Sequence, residues 1–164
     1  GMNVLSMHML DARSALDALA ARGEVDARRI GCLGNSYGGR TAMWLAIFDQ
    51  RIACCCSAGS MNNFRERSGK LASCGIQYPF GLLRYADVPE LYSLIAPRPL
   101  QLMAGRTDEL ITPADRDEML ATVRAAYKKT GAEENLDYVL HDTGHTLLWH
   151  LAEGFFRRHL DWPA

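Results

Sequence analysis

The chain has 164 residues, 48% of them hydrophobic and 23% charged, a balance that supports one buried core and is not the composition of a disordered chain. A net charge of −1 leaves no electrostatic footprint for nucleic acid or an anionic lipid surface, so neither is expected as a partner. No apolar run is long enough to cross a bilayer and the start "GMNVLSMHML" has no leader-peptide pattern; the expectation is one soluble, cytoplasmic domain over residues 2–164, with Gly1 set aside as a residue left from expression.

Met2, Leu5, Met9, Ala12, Leu16 and Leu19 recur at spacings of three and four and Gly23 follows, which predicts an amphipathic helix over residues 3–22. "RIGCLG" from Arg29 reads as a first strand, "YGGRTAMWLAIF" over 37–48 as a second helix, and "RIACCCSAG" from Arg51 as a second strand. The stretch 62–95 is irregular, with "DVPELYSLI" its best helical piece, and "PLQLMAG" from Pro99 reads as a third strand. Thr112 and Pro113 then open a long helix: threonine supplies the capping oxygen, proline fits the first helical position and Asp115 completes a T-x-x-D pattern. Met119, Leu120, Val123, Ala126 and Tyr127 form its apolar side, and Gly131 ends it. "LDYVLHD" from Leu136 is a fourth strand and "TLLWHLAEGFFRRHL" from Thr146 a closing helix.

Short apolar strands alternating with amphipathic helices predict an α/β fold: a mostly parallel sheet of about four strands with helices on both faces. The five cysteines, Cys32, Cys54, Cys55, Cys56 and Cys74, are odd in number, which argues against a disulfide framework. On an extended strand Cys54 and Cys56 point to one face and Cys55 to the other, so the triplet cannot converge on one metal. They read as small buried hydrophobes of a reducing compartment, and neither a metal nor a cofactor is expected.

In a parallel sheet, ligands sit at the carboxyl ends of the strands. Three chemistry-bearing residues fall there: Ser36 after the first strand, Asp108 after the third in "AGRTDEL", and His145 after the fourth in "HDTGH". Ser36 stands among four glycines in "GCLGNSYGGR", the composition of a turn too tight for neighbours with a Cβ. A serine hydroxyl is a poor nucleophile near neutral pH; it needs a base within hydrogen-bond reach, and that base needs an orienting carboxylate. Each assignment has a rival. Ser36 competes with a plain helix-capping role, Asp108 with Glu109 and Asp142, and His145 with His141, His150, His8 and His159. A His141/His145 metal pair is the sharpest alternative, with no third ligand of matching spacing.

G-N-S-Y-G is a G-x-S-x-G elbow in strand-turn-helix context, and serine, aspartate and histidine follow in that order, so the chain resembles the α/β-hydrolases. "LGNSYGGRTAMWLAIFDQRI", "YADVPELYSLIAPRPL", "AGRTDELITP" and "TGHTL" are most similar to the dienelactone hydrolase and acetyl xylan esterase-like branch, over residues 25 to 160. The resemblance implies hydrolysis of a small-molecule carboxylic ester through an acyl-enzyme on Ser36, with His145 as general base, Asp108 as orienting acid and the backbone N–H of Tyr37 facing the oxyanion. The glycines at 34 and 38 are expected to let strand and helix approach. Some dienelactone hydrolases carry cysteine as the nucleophile; here Ser36 holds that place and Cys32 is not its substitute. Arg98 in "APRPL" fits the family pattern and is expected to fix the entry to the third strand.

Family members place several strands, and the loop that supplies a second oxyanion donor, before the elbow, whereas here one helix precedes it. Loss of one such donor costs about a hundred- to a thousandfold in rate. The absence also leaves "RIGCLG" an apolar edge, so a homodimer, or association with a chain covering the strand near Ile30 to Leu33, is expected. Two other readings stay open: a catalytically impaired remnant serving as a binding or assembly module, and a serine peptidase, because prolyl-oligopeptidase-like domains share a similar elbow and blocks.

Overall fold

A computed structural model of the chain describes residues 3–65 and 75–161. Met2, Cys74 and the middle of the irregular stretch 62–95 lie outside the described residues. Helices α1 (Val4–Ala20), α2 (Tyr37–Phe48), α3 (Val88–Ser93), α4 (Pro113–Thr130) and α5 (Trp149–His159) are interleaved with strands β1 (Ile30–Asn35), β2 (Ile52–Ala58), β3 (Leu100–Gly105) and β4 (Leu136–His141). Among the described residues the four strands form one sheet, parallel throughout, in the order β1-β2-β3-β4. This is the α/β architecture that the alternation predicts, and it sends the ends of β1, β2, β3 and β4 to one edge of the sheet.

Side-chain alternation along the strands divides the core in two. Cys55, Leu100, Leu102 and Ala104 pack on one face with residues of α1, α2, α3 and α4; Cys54, Cys56, Ala58 and Met103 pack on the other with Ala152, Phe155 and Phe156 of α5. The cysteine triplet thus faces both layers, and burial pushes the Cys54 and Cys56 thiols up to about 12, which keeps them neutral. Gly31 makes room for α5, because a Cβ there would stand 2.6 Å from Phe156 Cε1.

Local chemistry sets the helix ends. Thr112 Oγ1 accepts from Asp115 N at 3.1 Å and donates to Asp115 Oδ2 at 2.7 Å, and Gly131 closes α4 at φ +66°. Asn3 Oδ1 caps α1 by accepting from Ser6 N at 2.8 Å. Helix α1 stops at Ala20, with Ala21 in ordinary helical geometry as its cap, so Gly23 is not its terminator. Leu5, Met9 and Leu16 are buried as the periodicity predicts, whereas Leu19, at the margin of that stripe, is 41% exposed. Helix α5 begins only at Trp149, which leaves Thr146 to Leu148 in the loop that follows His145. Arg98 has the expected structural role, in which Nη1 donates to Ile52 O at 2.8 Å, Nη2 bonds Ala46 O, and Tyr127 Oη donates to Arg98 O at 2.6 Å. The end of α2 and the starts of β2 and β3 are tied together by this one side chain and its carbonyl.

Strand β1 pairs with β2 alone, so its other backbone edge is open among the described residues, and Leu33 on it is 43% exposed. No described helix is long and apolar enough to cross a membrane.

Candidate active site

The turn between β1 and α2 is set by close backbone packing. Ser36 adopts φ 60° and ψ −121°, a strained conformation for a residue with a side chain, and two bonds hold it there: Ser36 N donates to Ala58 O at 2.8 Å and Arg40 N to Ser36 O at 3.1 Å. A Cβ on Gly34 would lie 2.2 Å from the carbonyl carbon and oxygen of Gly38, so only glycine lets β1 and α2 meet this closely. One on Gly39 would lie 2.7 Å from Ser57 Oγ, whereas one on Gly38 meets nothing within 4 Å. The pair required by packing is therefore Gly34 and Gly39, in place of Gly34 and Gly38, because Gly38 contributes its backbone to the contact and turns its open side away.

Strand β3 delivers the acid. The Asp108 side chain is wholly withdrawn from solvent; Oδ1 accepts from Leu110 N at 2.9 Å and Oδ2 lies 2.7 Å from His145 Nδ1. Its rivals do not reach: Glu109 is exposed, and Asp142 is 90% exposed and pairs with Arg106 at 3.0 Å. A carboxylate only accepts, so His145 carries its hydrogen on Nδ1 and presents the Nε2 lone pair, which is buried and has no hydrogen-bond partner.

The other histidines are committed elsewhere. His141 is buried with Nδ1 bonded to Thr143 Oγ1 at 2.8 Å, and His150 is exposed. His8 Nδ1 bonds the phenol of Tyr37 at 2.5 Å, and His159 packs on Phe155 at 4.8 Å, where burial lowers its pKa. Among the described residues no three His, Cys, Asp or Glu side chains gather as a metal-binding group.

Three further residues bring the serine turn and the histidine loop together, none of them singled out by the sequence. Asn35 Nδ2 donates to His145 O at 3.4 Å. Gly59, at φ +60° just after β2, lies between Asn35 and the ring: its Cβ would stand 2.7 Å from Asn35 Oδ1 and 3.1 Å from His145 Cε1. Gly105, at the end of β3, admits the histidine loop, for a Cβ there would lie 2.1 Å from Gly144 O and 2.2 Å from Thr143 O. The only sequence signal was a glycine at the end of an apolar strand in "SAGS" and "MAGR". Tyr37 opens α2, where the first N–H groups have no intrahelical acceptor and the helix dipole favours negative charge. The structure joins Asp108 to His145 by a hydrogen bond but not His145 to Ser36, whose strained turn and the helix start after it stand at the same edge of the sheet.

Residues 7–162 match the family model described as the prolyl oligopeptidase family. The chain is 34% identical over 149 residues to YtaP of Bacillus subtilis (strain 168), a protein named as a hydrolase; the match covers 88% of this chain and 50% of that protein. In structure it is similar to a glucuronoyl esterase from Solibacter usitatus, with a TM-score of 0.81, 20% identity, and 98% of this chain and 50% of that one covered. It is also similar to a glucuronoyl esterase of carbohydrate esterase family 15 from Caldicellulosiruptor kristjansonii, with a TM-score of 0.78, 22% identity and the same coverage, 98% and 50%. At these identities the structural likeness is one of fold. The chain spans about half the length of the relatives it matches.

Proposed function

The chain belongs to the prolyl oligopeptidase family of α/β-hydrolases, and on that premise we propose that it cleaves a small-molecule carboxylic ester through an acyl-enzyme on Ser36. The observation that carries this reading is His145, whose Nδ1 is 2.7 Å from the buried Asp108 carboxylate while its Nε2 is left without a partner. Such a base-to-nucleophile contact is often long in a resting enzyme and tightens with substrate.

As substrate binds, Ser36 Oγ attacks the ester carbonyl carbon and His145 Nε2 takes the hydroxyl proton. Asp108 stays ionised, keeps the ring oriented and stabilises the imidazolium. The oxyanion accepts from the Tyr37 N–H. Collapse breaks the carbon–oxygen bond to the alcohol, which leaves with the proton from His145. Water, deprotonated by His145 in turn, attacks the acyl carbonyl and releases the acid and Ser36. Every step uses the chain's own groups and water, so the reaction calls for no cofactor.

The family is named for peptidases and the structural neighbours for esterases, which keeps peptide cleavage as the second reading.

Labelling with a fluorophosphonate tests the proposal. Wild-type protein is expected to be labelled at Ser36; Ser36→Ala should lose both labelling and hydrolysis of a short-chain activated ester. His145→Ala should lose about a thousandfold or more, and Asp108→Asn as much or less. Folded wild-type protein that resists the probe would overturn the hydrolase reading in favour of a remnant that serves as a binding or assembly module. Faster cleavage of an activated peptide than of the ester would transfer the activity to peptides.

A further inference from the structure

Ser36 and Asp108 are joined by a hydrogen-bonded route that does not pass through His145. Arg40, on the first turn of α2, donates its backbone N–H to Ser36 O, and the residue is 1% exposed. That guanidinium bonds both the backbone carbonyl and the side-chain oxygen of Asn62 and lies 4.7 Å over the ring of Phe64. Asn62 Nδ2 donates to Leu110 O at 3.0 Å, and Leu110 N donates to Asp108 Oδ1 at 2.9 Å.

The polarity of each link is chemically forced. A guanidinium only donates and a peptide carbonyl only accepts, so the Asn62 amide must turn its oxygen to Arg40 and its nitrogen to Leu110. Asn62 is buried, and without its amide the Leu110 carbonyl loses its side-chain donor.

We propose that Asn62 is a positioning residue for the acid: by anchoring Leu110 it aims the Leu110 N–H at Asp108 Oδ1, which turns Oδ2 toward His145 Nδ1. A carboxylate held at one oxygen loses its freedom to rotate, and the other oxygen then points where the ring needs it. Without the anchor, Leu110 drifts, Asp108 turns, and the His145 imidazolium loses part of its counter-charge. The effect on turnover rests on the hydrolase reading above; the effect on the His145 ring does not.

Two variants of the full chain separate the links. Asn62→Leu removes both bonds at nearly constant volume. Asn62→Asp keeps an oxygen for Arg40 but sets an acceptor against Leu110 O. The hydrogen-bonded Nδ1–H resonance of His145, followed by NMR, is expected to move upfield or be lost to solvent exchange in Asn62→Leu, because its bond to Asp108 Oδ2 lengthens. Fluorophosphonate labelling of both variants is expected to slow by about tenfold or more, as misplaced catalytic groups do. A folded Asn62→Leu with an unchanged His145 Nδ1–H resonance overturns the proposal. So does Asn62→Asp labelled at the wild-type rate, which would assign the importance of Asn62 to Arg40; this second arm stands even where Asn62→Leu fails to fold. Wild-type protein that resists the probe while its His145 Nδ1–H resonance still responds to Asn62→Leu removes the hydrolase reading and leaves the positioning role.

Discussion

Gly59 is the wall against which the ring of His145 rests: a Cβ on it would stand 3.1 Å from Cε1 and 3.2 Å from Nδ1, with Asn35 Oδ1 2.7 Å away on its other side. Its φ of +60° adds strain for any other residue. Gly59→Ala is therefore expected to push the ring off the Asp108 axis. The loss of stability should be about 1–3 kcal/mol, while fluorophosphonate labelling of the folded variant should slow by about a hundredfold. Labelling within twofold of wild type would show that the ring does not depend on this contact.

The elbow glycines divide sharply. Gly34→Ala sets a methyl group 2.2 Å from the Gly38 backbone, which no side-chain rotation relieves. It should destabilise the protein by about 3 kcal/mol or more. Gly38→Ala meets open space inside a helix and should be neutral or stabilising by up to about 1 kcal/mol. Urea midpoints of the two variants make the comparison, and equal losses would show that the packing asymmetry is wrong.

Acid stability should report the Asp49 site. Arg51 donates from Nε to Oδ1 at 2.9 Å and from Nη2 to Oδ2 at 2.6 Å, and these bonds hold the Asp49 carboxyl down from 3.8 to about 2 despite its burial. The folded pKa lies below the unfolded one, so the contribution is fully present above the unfolded value and disappears as pH falls through the folded one. The stability gap between wild type and Asp49→Asn should stay constant near neutral pH and close between pH 3.8 and about 2. Thermal melts across that window measure it; a gap that persists at pH 2 contradicts the assignment.

The open edge of β1 predicts association, as a homodimer or with a chain that carries further strands. Leu33 on β1 and Val4, Met7 and Leu10 on α1 are exposed, and a cavity of about 500 Å³ lies between α1 and α2, lined by Leu5, Met9, Trp44 and Phe48. Parallel sheets normally bury their strands, and a bare apolar edge recruits another chain. Sedimentation at micromolar concentration should give a dimer or a larger species, and Leu33→Lys should shift it toward monomer. A folded wild-type monomer with no partner would show that the edge is tolerated.

The sequence by itself determined the elements and their order, because helix and strand periods, the Thr112–Pro113 start and the Gly131 stop of α4 are written in neighbours within four residues of one another. It also determined that Ser36, Asp108 and His145 come to one edge, since parallel strands all end there. Tertiary structure alone decided which acid meets the ring: Asp108 follows the third strand and Asp142 ends the fourth in sequence, and the fold buries the first and leaves the second in solvent. The close approach at Gly34 was readable in the elbow, but tertiary structure alone decided the purpose of Gly59 and Gly105, which are defined by groups from other elements, and showed that a Cβ on Gly38 meets nothing. Asn35 and Asn62 were illegible for the same reason. Their amides act on His145 and Leu110, 110 and 48 residues away, and a hydrogen bond across such a separation leaves no periodicity in the chain to be read.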